Sequence, residues 1–493
     1  MLQSVYLTKI NIDLEDSTIL NTYHNDMRID VLKKIFINTF STHTKWMARA
    51  GGRLNLIGEH VDYPQSQFVG QNPAHLFSMG CAVEQEFLIA INFNQSGVIE
   101  IAHADAKELL KFELKDLKKL EKIALQERES RLAMDKRTLP VWAYHSLGGI
   151  VEAIKCGANL KGVQIMLTST VPFGAGMSNS AANLVSLGLV FDAEFKLGLE
   201  DKTALASFAR DAENGLFSGG NCGFLDQLLI CYSQTKQLTK IDYANKNIDY
   251  FKSALPTNMN FVIINTNVPH VLAESDYAIR VAELSNIHSV LSDVLSEKID
   301  STTLSLQTIN KLLTLLDIAP LILPVDFESI DLGRDLSDVE IDKIKSIATE
   351  QLIVGLRRLR HQKASSLIVP LAGKAAEIGD ADLFGTLLNA EGKSLRMSGD
   401  FQITGQNGAQ DALLDCGFKV ADDLNFTVYG RMLGGGGGGN VLFFVDSGSD
   451  DIYQNWKAKT AESYSVWAKA VLKQDIAATV IEPNIASGAS LIK

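Results

Sequence analysis

Four stretches of the chain concentrate residue types able to do chemistry. The first is Ser169–Ala182, Ser-Thr-Val-Pro-Phe-Gly-Ala-Gly-Met-Ser-Asn-Ser-Ala-Ala. An apolar, strand-like run (Gly162–Leu167) leads into it and a helix-period segment (Asn183–Leu197) follows it. A glycine-bearing turn that opens a helix presents backbone N–H groups with no intrahelical partner. The positive end of the helix dipole points the same way, which suits an anion, above all phosphate. It is neither a Walker A loop nor Gly-x-Gly-x-x-Gly, and a simply capped helix, with Ser178 and Ser180 at its start, is the plainer reading. The second stretch, Trp46–Tyr63, crowds Arg53, Glu59, His60 and Asp62 around a short strand predicted at Leu54–Ile57, behind two glycines that break the chain. Four ionisable groups within ten positions are many for a solvated turn. The third is Gly219–Gln227, where a glycine-broken turn sets Asp226 at the head of an apolar helix predicted at Leu228–Tyr232; a helix cap is its plainer reading. The fourth is Gly434–Gly439, six consecutive glycines between strands predicted at Asn425–Tyr429 and Val441–Val445. Between two strands of a folded domain, such a run marks close backbone approach to a ligand or to another loop.

The intervening sequence supplies the scaffold. Val31–Phe40 is apolar at helical spacing, Phe87–Phe93 and Val98–Ala102 read as strands joined by a Gln-Ser-Gly turn, and Lys107–Arg137 reads as a charge-dense surface helix. Amphipathic helices are predicted at Trp142–Ile154 and Lys202–Glu213, and a buried strand at Phe261–Asn265. Residues 281–357 are helical with polar breaks and carry no chemical signal, and no internal repeat is visible.

Composition narrows the partners. At 493 residues the chain has room for two or three domains, and 46% hydrophobic with 21% charged residues is the balance of a globular protein. A formal net charge of −12 argues against nucleic acid or an anionic membrane as main partner. Five cysteines without metal-ligand spacing favour reduced thiols, and no signal-peptide order or membrane-length apolar run is present, so a cytoplasmic protein is expected.

Taken together and in order, these stretches resemble the GHMP small-molecule kinases, in their galactokinase branch. Gly52-Arg-Leu-Asn-Leu-Ile-Gly-Glu-His-Val-Asp-Tyr63 is similar to that branch's signature, and Val171–Ala182 to the family's phosphate loop. Asn221-Cys-Gly-Phe-Leu-Asp-Gln227 resembles the segment with the catalytic aspartate, and Asn265–His270 with Ser275–Tyr277 the sugar-contacting strand end. Arg431–Gly439 stands at the place of the third glycine-rich motif. The sequence departs from the family pattern at Gly51, Val61 and Asn179, in the spacing from Glu213 to Asp226, and across Pro64–Ala82.

The resemblance implies an α+β, two-lobed GHMP kinase fold. Its N-terminal lobe would be like the second domain of a ribosomal protein and occupy residues 1–234; its C-terminal lobe would be ferredoxin-like and occupy 235–493. It implies an ATP- and magnesium-dependent kinase acting on the anomeric hydroxyl of galactose or a close relative. The alternatives are a kinase for N-acetylgalactosamine or galacturonate, and a catalytically silent sugar and ATP sensor. Carried over residue by residue, Asp226 is the base and Arg53 its partner. Glu59, His60, Asp62, Gly223 and Tyr277 take the sugar. Pro172, Gly174, Gly176, Ser178, Asn179 and Ser180 hold the nucleotide phosphates, with Trp142 against the base, and Ser180 and Glu213 reach the metal.

Overall fold

The architecture comes from a computed structural model that describes residues 5–21, 26–62, 76–130, 132, 136–172, 176–220, 222–245, 247–268, 277–404, 407–436 and 439–492. The spine of its larger, ten-stranded sheet is Phe77–Phe93. One edge of this strand pairs antiparallel with Trp46–Ile57. The other takes three partners in succession: Val163–Ser169, Ile485–Ala486 and Gln237–Asp242. Beyond Val163–Ser169 follow Val98–His103, Glu108–Glu113 and Tyr6–Lys9, and Ser490–Ile492 closes the sheet outside Trp46–Ile57.

Alternation along the spine divides the core. Phe87, Ile89 and Ile91 pack with the helices Ala143–Lys155, Asn179–Phe195, Lys202–Asn214 and Leu225–Tyr232, whereas Leu88 and Ala90 face Met27–Phe40. Both faces are covered, which is why the strand reads as an almost unbroken apolar run. The smaller sheet has the order Val428–Met432, Asn440–Asp446, Met259–Asn265, Thr479–Ile481, all antiparallel. Val262, Ile264 and Phe443 face Ala409–Asp423 and Asp450–Val471; Ile263, Leu442 and Phe444 face Glu350–Ile378 and Ala381–Leu395. Residues 281–357 form helices that pack around the start of Glu350–Ile378 in a further core, shared with Leu395, Phe401, Ile403 and Met432.

Two local expectations are corrected. The glycines at 51 and 52 do not break the chain: the strand runs from Trp46 to Ile57, with a bulge between Gly51 and Arg53. A Cβ on Gly51 would lie 2.3 Å from the Val83 carbonyl oxygen, so glycine permits close strand approach. Lys107–Arg137 is not one helix, because Glu108–Glu113 is a strand with Leu110 and Phe112 buried at alternate positions, and only Leu117–Glu129 is α-helical. The Gln-Ser-Gly turn does join two strands, as expected, and they are not neighbours in the sheet because Val163–Ser169 lies between them. As for the lobes, the larger sheet draws strands from both sides of residue 234, through 237–252 and 485–492.

Candidate active site

The bulge in Trp46–Ile57 re-aims the strand at the point where chemistry is needed. The Arg53 backbone N–H donates to the Met177 carbonyl (3.1 Å), and its side chain, 5% exposed, donates through Nε to Asp226 Oδ1 at 2.6 Å and through Nη1 to the Gly176 carbonyl. Asp226 lies in the first turn of Leu225–Tyr232, where the helix dipole favours a carboxylate. Its other oxygen accepts from Ser178 Oγ, and 28% of its side chain stays open. Burial pulls against the Arg53 charge, but Asp226 and Glu59 more than offset it and hold the guanidinium above its ordinary pKa. A carboxylate is thereby fixed between a cation and the loop expected to hold phosphate.

That loop enters the helix Asn179–Phe195 through Ser178 in the left-handed region (φ 60°), with no side chain capping the helix. Ser178 is thus not a cap: its hydroxyl is spent on Asp226. Ser180 Oγ donates to Glu213 Oε1 at 2.6 Å, and Gln227 Nε2 donates to Glu213 Oε2 at 2.8 Å. Burial, with the Asp226 charge nearby, pushes the Glu213 carboxyl up to about 7. Asn179 is turned inward and donates to Ser169 Oγ (2.8 Å) and the Val171 carbonyl (2.9 Å), which ties the loop's two ends together. Gly176 has φ 70° and Gly434 φ 87°; a Cβ on Gly434 would sit 2.6 Å from Gly176 Cα. At this point the glycine run braces the phosphate loop backbone to backbone.

Beside the loop lies a cavity of about 370 Å³ lined by Trp142, His145, Pro172, Asn179 and Asn183 among others. The Trp142 indole is held by its Nε1 donating to Glu108 Oε2 at 2.9 Å. Burial drops the His145 imidazole to about 4, so the ring is neutral.

The turn after Trp46–Ile57 forms a second wall. Asp62 Oδ2 accepts from the Leu225 N–H at 3.0 Å, one residue from Asp226, and a Cβ on Gly223 would lie 1.8 Å from the Asp62 carbonyl oxygen. Glycine is therefore the residue that lets these two segments touch. Burial first, then the neighbouring Asp226 and Glu59 charges, push the Asp62 carboxyl up to about 7 against the Leu225 hydrogen bond. Glu59 is turned into the protein, its Oε2 accepting from Arg431 Nη2 at 2.7 Å and from the Gly434 N–H at 3.4 Å. Burial raises the Glu59 carboxyl, with Arg431 and Arg53 pulling the other way. His60, at φ 59°, is buried with its ring stacked 5.1 Å from Phe401, and burial holds it well below an ordinary histidine.

The structure thus gathers Arg53, Asp226, Ser178, Asp62, Gly223, Ser180 and Glu213 around one centre, with Trp142 and Pro172 at the adjoining cavity. Gly174 lies outside the described residues; Tyr277 opens the helix Tyr277–Leu295, but its side chain is also outside them. Sequence reasoning missed Arg431 and Glu391, both buried and ion-paired at 2.7 Å. Glu391 did leave a signal: it interrupts the apolar stripe Leu387, Leu388, Leu395 of its helix.

Comparisons with known proteins pick out the same segments. The family described as GHMP kinases N terminal domain matches residues 145–234, and the galactokinase galactose-binding signature matches 34–69. A galactokinase of Clostridium acetobutylicum is 26% identical over 88% of this chain and 94% of its own length. One of Lactococcus lactis is 27% identical over 78% and 80%. Among solved structures, Lactococcus lactis galactokinase complexed with galactose aligns with a TM-score of 0.68 at 22% identity, covering 94% of this chain and 99% of that one. Methanococcus jannaschii mevalonate kinase aligns at 0.50 and 14%, covering 90% and 98%. With the two-sheet fold and the glycine-braced loop in place, the chain carries segments that match the GHMP kinase N-terminal domain and the galactokinase galactose-binding signature, and it is similar to galactokinases over most of its length.

Proposed function

We propose that this protein transfers the γ-phosphoryl group of ATP to the anomeric hydroxyl of galactose or a close relative. The observation that carries the reading is Asp226, held between Arg53 Nε (2.6 Å) and Ser178 Oγ and directly following Leu225, whose N–H Asp62 binds. A sugar seated against Asp62 and Gly223 would place a hydroxyl at the Asp226 carboxylate. Nucleotide phosphates lying on the Gly176–Ser180 backbone would face it.

Asp226 takes the hydroxyl proton as the sugar oxygen bonds to the γ-phosphorus, and the bond to the β–γ bridging oxygen breaks to release ADP. Arg53 orients Asp226 through their ion pair and offsets charge on the moving phosphoryl group. The Gly434–Gly176 contact keeps the loop backbone in place, which matters because this chemistry depends mainly on positioning. Trp142 and Pro172 offer the nucleotide base an adjoining cavity.

Magnesium fits the donor set. Ser180 Oγ and Glu213 Oε1 are hard oxygens 2.6 Å apart, and a buried carboxyl that holds its proton up to about 7 is one that a divalent cation would discharge. Bound by Ser180, Glu213 and phosphate oxygens, the ion would neutralise charge on the nucleotide phosphates. A cytoplasmic setting, with ATP at hand and thiols kept reduced, suits this activity and the five free cysteines.

The test is ADP release by the purified protein with ATP, magnesium and a panel of galactose, N-acetylgalactosamine and galacturonate. The highest kcat/KM is expected for galactose. A higher value for another sugar would keep the reaction and change the substrate; no sugar-dependent ADP release would refute the kinase reading.

A further inference from the structure

The turn that carries Glu59, His60 and Asp62 is held almost wholly by side chains from outside it. The Gly58 N–H donates to Glu391 Oε1 at 2.7 Å, and the Glu59 N–H donates to the same oxygen at 3.1 Å. The Gly58 carbonyl accepts from Ser78 Oγ (2.8 Å) and Asn55 Nδ2 (3.2 Å). His361 Nε2 lies 3.1 Å from the Glu59 carbonyl, and Gln362 Nε2 donates to the His60 carbonyl at 3.0 Å. His361 and Gln362 belong to Glu350–Ile378, and Glu391 to Ala381–Leu395, more than three hundred residues along the chain from the turn they grip.

Within this set Glu391 has two tasks, one for each oxygen. Oε1 collects the two backbone N–H groups and Ser365 Oγ (3.1 Å). Oε2 accepts from Arg431 Nη1 at 2.7 Å, and the other terminal nitrogen of the same guanidinium reaches Glu59 Oε2 at 2.7 Å. Arg431 is completely buried, its Nη1 also donating to the Leu56 carbonyl at 2.8 Å. One carboxylate therefore fixes both the backbone of Glu59 and, through a planar fork, the direction of the Glu59 side chain. The turn has little stiffness of its own to replace this: Gly58 has φ 90° and His60 φ 59°, and a Cβ at 58 would lie 2.4 Å from the Phe77 carbonyl oxygen.

We propose that Glu391 is a positioning residue for the sugar site: its bonds to the Gly58 and Glu59 backbone and to Arg431 set the geometry in which the turn meets the sugar. The assignment rests on the kinase reading above and adds a residue to it. The described bonds of Glu391 reach the turn, Ser365 and Arg431 and none reaches the residues lining the nucleotide cavity. Its direct bonds act on the turn, and the nucleotide loop is reached only through Arg431, Glu59 and Gly434, so its loss weighs more on the sugar than on ATP.

The experiment compares wild type, Glu391→Ala and Glu391→Gln, measuring KM for galactose at saturating ATP and for ATP at saturating galactose. Alanine removes every bond. Glutamine keeps an acceptor oxygen for the two N–H groups and loses the carboxylate that pairs with Arg431. The expected result is a galactose KM raised at least tenfold in Glu391→Ala, with the ATP KM within twofold of wild type. Partial rescue in Glu391→Gln, to about a threefold rise, is expected as well. If Glu391→Ala does not fold, the split in Glu391→Gln alone decides. Equal rises in both KM values, or an unchanged galactose KM in a folded variant, would overturn the assignment while leaving the kinase reading intact. Failure of the wild-type protein to bind any sugar in titration calorimetry would overturn both.

Discussion

Under the proposed function, the carboxyl of Asp62 gives the sugar site a pH dependence that can be worked out in advance. Its pKa is pushed from 3.8 to about 7, mainly by burial. If the ionised carboxylate is the form that accepts hydrogen bonds from sugar hydroxyls, the apparent Kd for galactose scales as one plus the ratio of protonated to ionised Asp62. For a pKa near 7 this ratio is about ten at pH 6 and about one tenth at pH 8, so galactose should bind roughly tenfold more weakly at pH 6. Asp62→Asn should lose the dependence. It should also weaken binding at pH 8 by roughly 10–100-fold, since a hydrogen bond to a charged group is worth about 1.5–3 kcal/mol. Titration calorimetry with galactose alone, from pH 6 to 8 and without nucleotide or metal, reads both effects. Glu213 shares a pKa of about 7, so Glu213→Gln is the control and should keep the slope. A flat wild-type profile, or a slope that survives in Asp62→Asn, would refute the reasoning. The same shift bears on stability. Between about pH 4 and 7 the folded protein keeps a proton that the unfolded chain has lost, so this group's contribution falls as pH rises through that window.

Other consequences can be checked by single changes. Asp226→Asn should keep galactose binding and lower kcat by about 10²–10⁴-fold, the usual cost of losing a general base; near wild-type turnover would remove Asp226 from that role. Ser180→Ala should raise the magnesium concentration for half-maximal rate, and an unchanged requirement in a magnesium titration would count against Ser180 as a ligand. Gly434→Ala should lower the melting temperature and raise the ATP KM, because φ 87° and a Cβ 2.6 Å from Gly176 Cα force the phosphate loop to move; wild-type values for both would show that the loop does not depend on this brace.

Much of the site was legible because its pieces are local. Glycines, a serine pair and a carboxylate at a helix start declare themselves within a few residues, and Arg53, Asp226 and Ser178 do meet. What sequence could not show is where side chains spend their hydrogen bonds. Ser178 looks like a cap and instead serves Asp226; Asn179 looks like a loop residue and laces the turn. The buried partners of Glu59 lie at 391 and 431, and only tertiary contact makes them relevant. The strand at Glu108–Glu113 was hidden for a different reason. A period of two over six residues is easily lost among the charges of the following helix, and packing of Leu110 and Phe112 decided it.

The outer edge of the strand that carries Arg53 is closed by residues 490–492, with Arg49 opposite Ser490. Ala82, which pairs with Arg53, is paired on its other side with Ala486. During synthesis, therefore, the Arg53 strand waits with its edge unpaired until more than four hundred further residues have emerged from the ribosome. An open edge of buried-type sequence is a template for wrong pairing. A shortened protein ending before Asn484 would contain every residue assigned here to catalysis and still lack the strands that seat them. Strands 485–486 and 490–492 thus decide when a nascent active site becomes a finished one.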